Sequence, residues 1–245
     1  MSVNSPLSER SDAESVRSLL GLSVDEPEDG TELVHGLTLT SPDAARRLID
    51  RVGALLGTDK PAVAASQFTK WYCRALTAVL YEFSAEGAAR AASLRDIAIA
   101  FPGGDAPIAV HCGGKTFPVD NDAAREPMRE LTMIRLFAQN WNLVFKTLSA
   151  VSGVREDALW ENGSMYVHYY YRQWIEEADS PGRRAALEDD YEYIVGRAAP
   201  ELYGELQCFN PFLGTGKPVR STCCLRYMLP DGNACKGCPV KFARK

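Results

Sequence analysis

The chain has 245 residues, of which 46% are hydrophobic and 24% charged, and its formal net charge is −5 at neutral pH. This composition is typical of a globular protein large enough to bury a sizeable core. The negative charge predicts no overall attraction for nucleic acid or for an anionic membrane, and no stretch approaches the roughly 18 apolar residues of a membrane span. The N-terminal residues lack the basic start and apolar run of a signal peptide. We therefore expect a cytoplasmic protein, in which thiols stay reduced.

Hydrophobic periodicity predicts an α+β fold, mostly helical, in a single domain. Apolar spacing and helix-start signals predict helices over residues 13–22, 41–57, 61–84, 124–152, 156–178 and 180–196. Ser41 and Pro42 are a favourable N-cap and first residue for the second of these helices. Asn162-Gly163 is a point at which the fifth helix could break.

A change of period after the third predicted helix indicates a small antiparallel sheet. Residues 97–101 and 108–112 read as two strands around a turn at Gly103-Gly-Asp. A second turn, at Gly113-Gly114, leads to a third strand at residues 117–119.

Composition divides the chain into three parts. Residues 1–31 form a partly disordered N-terminal segment, since residues 1–12 are rich in polar residues and residues 25–31 are acidic. Residues 32–213 form the helical body. Residues 214–245 form a C-terminal module that is rich in cysteine.

The C-terminal module contains four of the seven cysteines in the pattern C-C-x10-C-x2-C, namely Cys223, Cys224, Cys235 and Cys238. Four thiolates on one short segment bind a metal ion or an iron–sulfur cluster, or they form disulfides. The odd total and the expected reducing compartment argue against a disulfide framework.

The spacing of the four cysteines bears on which metal centre they suit. The C-x2-C pair serves both zinc and iron–sulfur sites. The adjacent pair suits a single zinc ion poorly, because neighbouring side chains of an extended chain point to opposite faces. A two-iron cluster is larger, and a local kink would let both thiolates reach it. The pattern favours a [2Fe–2S] centre, while zinc stays open as the alternative.

The same module is strongly basic. Residues 215–245 contain one acid, Asp231, against seven cations: Lys217, Arg220, Arg226, Lys236, Lys241, Arg244 and Lys245. Nearby cations stabilise a reduced, more negative cluster, and a basic rim attracts an acidic electron-donor protein. Solvation of a loop-rich terminus explains these charges equally well.

The cysteine pattern resembles the signature of the FhuF-type ferric siderophore reductases, and flanking residues also match: Arg220, Leu225, Tyr227 and Pro239. Residues 65–72 and 158–162 resemble the larger FhuF-like region, which is related to part of the IucA/IucC siderophore synthetases. The resemblance implies that all four cysteines ligate a [2Fe–2S] cluster. It also implies an iron–sulfur oxidoreductase whose siderophore-reductase body is residues 32–213 and whose [2Fe–2S] module is residues 214–245.

The implied reaction is the one-electron reduction of Fe(III) carried by a siderophore of the hydroxamate class, with release of Fe(II) in the cytoplasm. No G-x-G-x-x-G follows a predicted strand, so we expect a separate electron donor such as a ferredoxin or a flavin reductase. Nucleic acid is not an expected partner, and peripheral association with the inner membrane stays open.

Two alternative functions remain open. One is a zinc-stapled binding or interaction protein, and the other is a siderophore-binding relative of the synthetases.

Several other features give no site. The aromatic residues between 166 and 174 are expected in the core and at its rim rather than in a chelate pocket. Lys70, Trp71 and Arg74 fit an exposed helix edge as well as a siderophore contact. Cys208 is interpreted as structural, and a role as an alternative cluster ligand is the less favoured interpretation. No substrate-contacting residue is assigned.

Overall fold

Helices make up most of the computed structural model, which describes residues 12–27, 30–102, 107–119, 121–204 and 207–243. The helices are α1 (Asp12–Leu20), α2 (Pro42–Leu56), α3 (Pro61–Glu86), α4 (Asp122–Met133), α5 (Asn142–Ser152), α6 (Glu156–Glu177), α7 (Pro181–Glu192) and α8 (Pro239–Ala243). The prediction of a mostly helical α+β fold is confirmed. The predicted disorder of residues 1–11 and the predicted turn at residues 103–105 lie outside the described residues.

The centre of the fold is α3, which packs against α1, α2 and α6. Almost every face of α3 is buried, as expected of a helix that is apolar all round. Its few polar groups have partners inside the core: the Tyr72 hydroxyl donates to Asn140 Oδ1 at 2.5 Å, and Asn140 Nδ2 donates to the carbonyl of Ala92 at 2.8 Å. Gly87, with φ of +62°, ends the helix.

The strands form two small sheets instead of one. They are β1 (Leu22–Ser23), β2 (Leu33–His35), β3 (Ala88–Arg90), β4 (Ile97–Ala100), β5 (Ala109–Cys112) and β6 (Thr116–Pro118). The first sheet has the order β1-β5-β4-β2, and within it only the β1–β5 pair is parallel. The predicted third strand, β6, pairs with β3 in a second sheet, so its predicted place in one antiparallel sheet was wrong.

The predicted helix at residues 124–152 is a continuous helical path, formed by α4, a π-helical segment at Ile134–Trp141, and α5. The π segment places Asn140 and Trp141 in the core, where both are fully buried. The helix predicted from Ser180 likewise continues beyond α7 as a π-helical turn at Tyr193–Arg197.

Two local predictions are confirmed in position: α6 covers the predicted helix, and Ser41 is the N-cap residue of α2. The helix α6 runs unbroken through Asn162 and Gly163. Gly163 is required by packing, because a Cβ there would lie 2.5 Å from Cζ3 of Trp141. Ser41 occupies the N-cap position of α2, but its side chain makes no capping hydrogen bond.

Residues 207–243 contain little regular structure beyond α8 and a 3₁₀ turn at Arg226–Met228. Within the described residues, no helix combines the length and the apolar character needed to cross a membrane.

Candidate metal centre

The cysteine segment, defined here as residues 218–238, lies across α3 and α6. On α3, the Ser66 hydroxyl and the Gln67 side-chain amide donate to the carbonyl of Cys224 at 2.8 and 2.7 Å. Both hydrogen bonds are buried. Because a buried backbone carbonyl needs partners, these two side chains fix the main chain of the adjacent cysteine pair against the central helix.

On α6, the side chain of Glu161 holds the residues that lead into Cys223. The N–H groups of Ser221 and Thr222 donate to its two carboxylate oxygens at 2.8 and 2.7 Å, and the Thr222 hydroxyl donates to the same carboxylate. Arg220 Nε lies 3.6 Å from Glu161 Oε2, and the two side chains are only 4% and 6% exposed. A buried carboxylate is costly unless it is paired and hydrogen-bonded, and Glu161 meets both conditions.

Arg220 connects the two halves of the cysteine segment. Its Nη2 donates to Asn162 Oδ1 at 2.7 Å, and Asn162 Nδ2 donates to Ser66 Oγ at 3.0 Å. Its backbone N–H donates to the carbonyl of Gly237 at 2.9 Å, between Cys235 and Cys238. A Cβ at Gly237 would lie 2.6 Å from the carbonyl oxygen of Pro218, so only glycine fits this close approach.

The chain bends sharply after the adjacent cysteine pair. Leu225 has φ of +57°, and among the described residues it is the non-glycine residue with a positive φ. Its N–H donates to Cys223 Sγ at 3.4 Å. The bend therefore brings a backbone donor to the Cys223 sulfur.

The four thiols lie near enough to act on one another electrostatically. Along with burial, the charges of Cys224 and Cys238 act to raise the pKa values of Cys223 and Cys235. Within the described part of the chain, no three His, Cys, Asp or Glu side chains converge into a metal-binding group. The thiols are therefore neighbours that do not converge on a single point. Cys224 and Cys238 are buried, while Cys223 and Cys235 are partly exposed.

The environment of these thiols affects their pKa values in different directions. Burial raises the pKa of Cys223 and of Cys235. At Cys238, desolvation also acts to raise the pKa, but the N–H groups of Lys241 and Val240 and the thiols of Cys223 and Cys235 lower it below its ordinary value. A lowered pKa favours the thiolate, which is the form that binds metals.

Positive charge lies beside the thiols. Lys70, on α3, is close enough to Cys224 and Cys235 to interact with their charges, and its pKa is lowered mainly by desolvation, with Arg226 and Arg220 adding to the effect. Lys70, Trp71 and Arg74 were considered either as an exposed helix edge or as siderophore contacts, and Lys70 lies at the cysteine segment. Arg74 instead donates to the carbonyl of Leu19, at the end of α1.

A family model described as "Ferric iron reductase FhuF-like transporter" matches residues 66–200, which is more than half of the chain. The chain belongs to the FhuF family. Among curated proteins, no match to it is found. The matched region ends before the cysteines, but it contains the side chains that hold the cysteine segment in place: Ser66, Gln67, Glu161 and Asn162.

In this FhuF-family chain, the sequence alone assigns no role to Glu161 or Gln67, although both lie in stretches that carry the family resemblance. One signal was present: polar residues in the middle of helical stripes that are otherwise apolar. Gln67 is flanked by Ala65 and Phe68, and all three are buried. A polar side chain in such a place needs a buried partner, and that partner is the cysteine segment.

The aromatic run on α6 belongs mostly to the core. Tyr170, Tyr171 and Trp174 are buried, as predicted, whereas Tyr169 is 56% exposed. His168 is buried too, between Tyr191 and Thr215. Because the Thr215 hydroxyl donates to the carbonyl of Phe212 at 2.7 Å, it accepts from His168 Nε2 at 2.7 Å, and His168 Nδ1 accepts from the Tyr191 hydroxyl at 2.8 Å.

This arrangement holds His168 neutral and predicts a loss of stability in acid. Burial, and next the charge of Arg172, lower the pKa of His168 to about 4. Because the unfolded chain binds a proton near pH 6.5 and the folded chain does not, the free energy of unfolding falls as the pH drops from about 6.5 to about 4. We expect a loss of about 3 kcal/mol or less from this residue. Urea unfolding of wild type and His168→Gln across this range measures it, and equal pH dependence in both proteins would contradict it.

Proposed function

We propose that this FhuF-family chain is a ferric siderophore reductase in which Cys223, Cys224, Cys235 and Cys238 hold a [2Fe–2S] cluster. The donor set supports this assignment, since four neighbouring thiols on one short segment are a ligand set that suits a cluster of two irons. Two further features support it: the hydrogen bond from the Leu225 N–H to Cys223 Sγ and the positive charge of Lys70 beside the thiols. When bound, such a cluster supplies one-electron transfer at a low potential, about −400 mV in plant-type ferredoxins.

Residues of this chain hold and orient the cysteine segment. Glu161 and Gln67 fix the backbone on either side of the adjacent cysteine pair. The N–H group of Leu225 donates to Cys223 Sγ, and hydrogen bonds of this kind raise the potential of a thiolate-bound centre. Cys223 and Cys235 are partly exposed, so reaction partners can approach the site closely.

The substrate in this proposal is Fe(III) bound by a siderophore of the hydroxamate class, and the product is Fe(II) released in the cytoplasm. The electron comes from a separate protein, such as a ferredoxin or a flavin reductase, which the basic residues around the cysteines would attract. In domain terms, residues 32–213 are the reductase body and residues 214–245 the [2Fe–2S] module.

The observation that carries the proposal is the buried network by which helices of the FhuF-matched region hold the cysteine segment. The FhuF-matched region holds the backbone around Cys223 and Cys224 with buried polar side chains. This supports a role for these cysteines in the activity of the family.

The test is anaerobic purification followed by metal and sulfide analysis. We expect about two irons and two acid-labile sulfides per chain, and a visible absorbance that bleaches with dithionite. Addition of a ferric trihydroxamate should restore the absorbance while an Fe(II) chelator takes up the released iron. A colourless protein with one zinc per chain would overturn the proposal in favour of the zinc-stapled binding protein.

A further inference from the structure

A cleft of about 470 Å³ opens between the first turns of α6 and residues 207–222. Its apolar wall is built mainly by Trp160, Phe209 and Leu213. Phe209 is 62% exposed and Leu213 58% exposed, which makes them the most exposed large apolar side chains in the described part of the chain. Apolar side chains left open to water along a concave surface are typical of a site that a ligand covers.

The cleft reaches the cysteine segment itself. Ser221 and Thr222 form part of its wall, and Thr222 directly precedes Cys223, which is partly exposed. The hydrogen bonds from both residues to Glu161 hold this part of the wall rigidly. One residue of the cleft wall is therefore the direct neighbour of the first of the four cysteines, with their Cα atoms about 3.8 Å apart.

In the described part of the chain, the charged side chains that line the cleft are all acidic. Its lining includes Glu156, Asp157 and Glu161 and no Lys or Arg among the described residues. Glu161 is balanced by Arg220, and Asp157 by Arg155, so the cleft is mildly negative. Such a site disfavours a polyanion and accepts a ligand that is uncharged or positive.

A second cleft of about 480 Å³ has a positive balance of charge, since Arg172 and Lys217 line it against the carboxylate of Glu176. It meets the cysteine segment only at Pro218. Its charge suits an anion, so the two clefts predict different ligands and can be told apart by experiment.

We propose that the cleft formed by Trp160, Phe209 and Leu213 binds the ferric chelate, and that it selects uncharged or cationic chelates with apolar surface over polyanionic ones. The identity of the ligand as a chelate rests on the proposed function. The location and the charge preference of the site rest on the cleft alone.

The experiment uses redox-inert gallium(III) complexes, so that binding is measured apart from reduction. Calorimetric titration of the full chain compares the gallium complex of a linear trihydroxamate that carries a terminal ammonium group, with net charge +1, and a gallium tricatecholate, with charge −3. We expect the first to bind and the second to bind more weakly. Leu213→Ser should weaken binding of the trihydroxamate about tenfold, because it removes most of the buried area of one leucine.

Two further variants sharpen the result. Leu55→Ser removes a leucine of similar exposure, 54%, from α2, and it should leave binding unchanged. Glu156→Lys should weaken binding of the cationic complex and strengthen that of the tricatecholate. Since both Leu213 and Leu55 are exposed, neither substitution should alter the melting temperature appreciably.

The inference is overturned if neither complex binds, if the tricatecholate binds more tightly than the trihydroxamate, or if Leu213→Ser binds as the wild type does. Loss of binding in Lys217→Ala instead would move the ligand to the cationic cleft. If the protein is colourless and contains zinc but still binds gallium trihydroxamate, the cleft remains the binding site and the proposed redox function is refuted. If the protein reduces ferric chelates and Leu213→Ser has no effect, the proposed function is supported and the cleft is refuted as the binding site.

Discussion

Replacing Glu161 with alanine is expected to cost about 3–5 kcal/mol of the free energy that holds the cysteine segment on α6. The variant leaves the guanidinium of Arg220 buried without its ion pair, and the N–H groups of Ser221 and Thr222 lose their acceptors. Removal of one member of a buried pair is strongly destabilising because the remaining charge stays desolvated.

The loss in Glu161→Ala should be local. Near the cysteines the segment has only a short 3₁₀ turn, whereas α6 is packed against α3 and α5. The segment should open while the helical body stays folded, since regions with few buried apolar contacts open first. We therefore expect rapid proteolysis within residues 218–238, with the body resistant, and loss of most of the bound iron.

Two matched variants test whether the buried pair is the cause. Glu177→Ala removes an exposed carboxylate from the same helix, and its effect should stay within about 0.5 kcal/mol. Glu161→Gln keeps one acceptor oxygen but turns an amide N–H₂ group toward the donors, so its loss should lie between those of the other two. Wild-type protease resistance and iron content in Glu161→Ala would contradict the role assigned to Glu161.

Much of the helical fold could be predicted from sequence because its signals are local. Pro42 and Pro61 lie in the first turns of α2 and α3, and left-handed glycines at 57 and 87 end the two helices. The strands could be predicted only in part. Strands of two or three residues, such as β1 and β3, are too short for a periodic signal, and the partner of β6 depends on contacts that are distant in the chain.

Gly163 illustrates the same difference between local and distant information. As a residue of the sequence it weakens a helix by about 1 kcal/mol relative to alanine, so a break at this point was left open within the predicted helix. In the structure, the Trp141 ring occupies the space of the missing Cβ. The low helix propensity of glycine was outweighed by packing against Trp141, a residue more than twenty positions away in the chain.

For the candidate site, the four cysteines could be singled out from their spacing, but their surroundings could not. The carboxylate of Glu161 is about sixty positions from the N–H groups that it accepts from, and Gln67 is still farther from Cys224. No periodic pattern encodes such contacts. The sequence does contain polar residues inside buried helical faces. Such residues indicate that buried partners exist, but not which residues they are.

The second large effect is expected in Cys238→Ser. Cys238 is 2% exposed, and, against the effect of desolvation, the neighbouring thiols of Cys223 and Cys235 act to lower its pKa, so it is the buried cysteine most suited to bind as a thiolate. A serine hydroxyl stays protonated at neutral pH and is a poor ligand for iron. We expect Cys238→Ser, purified anaerobically, to lose most of its iron and sulfide together with the visible absorbance.

Cys208→Ser is the matched control for this prediction, because it replaces an exposed cysteine that lies outside the cysteine segment. It should keep the iron content and the spectrum of the wild type. Iron lost from Cys208→Ser and kept by Cys238→Ser would exchange the two assignments and make Cys208 a ligand. Because serine is nearly the size of cysteine, melting curves of the two variants, both measured after removal of iron with a chelator, should coincide within a few degrees. A difference in iron content then reports ligation rather than folding.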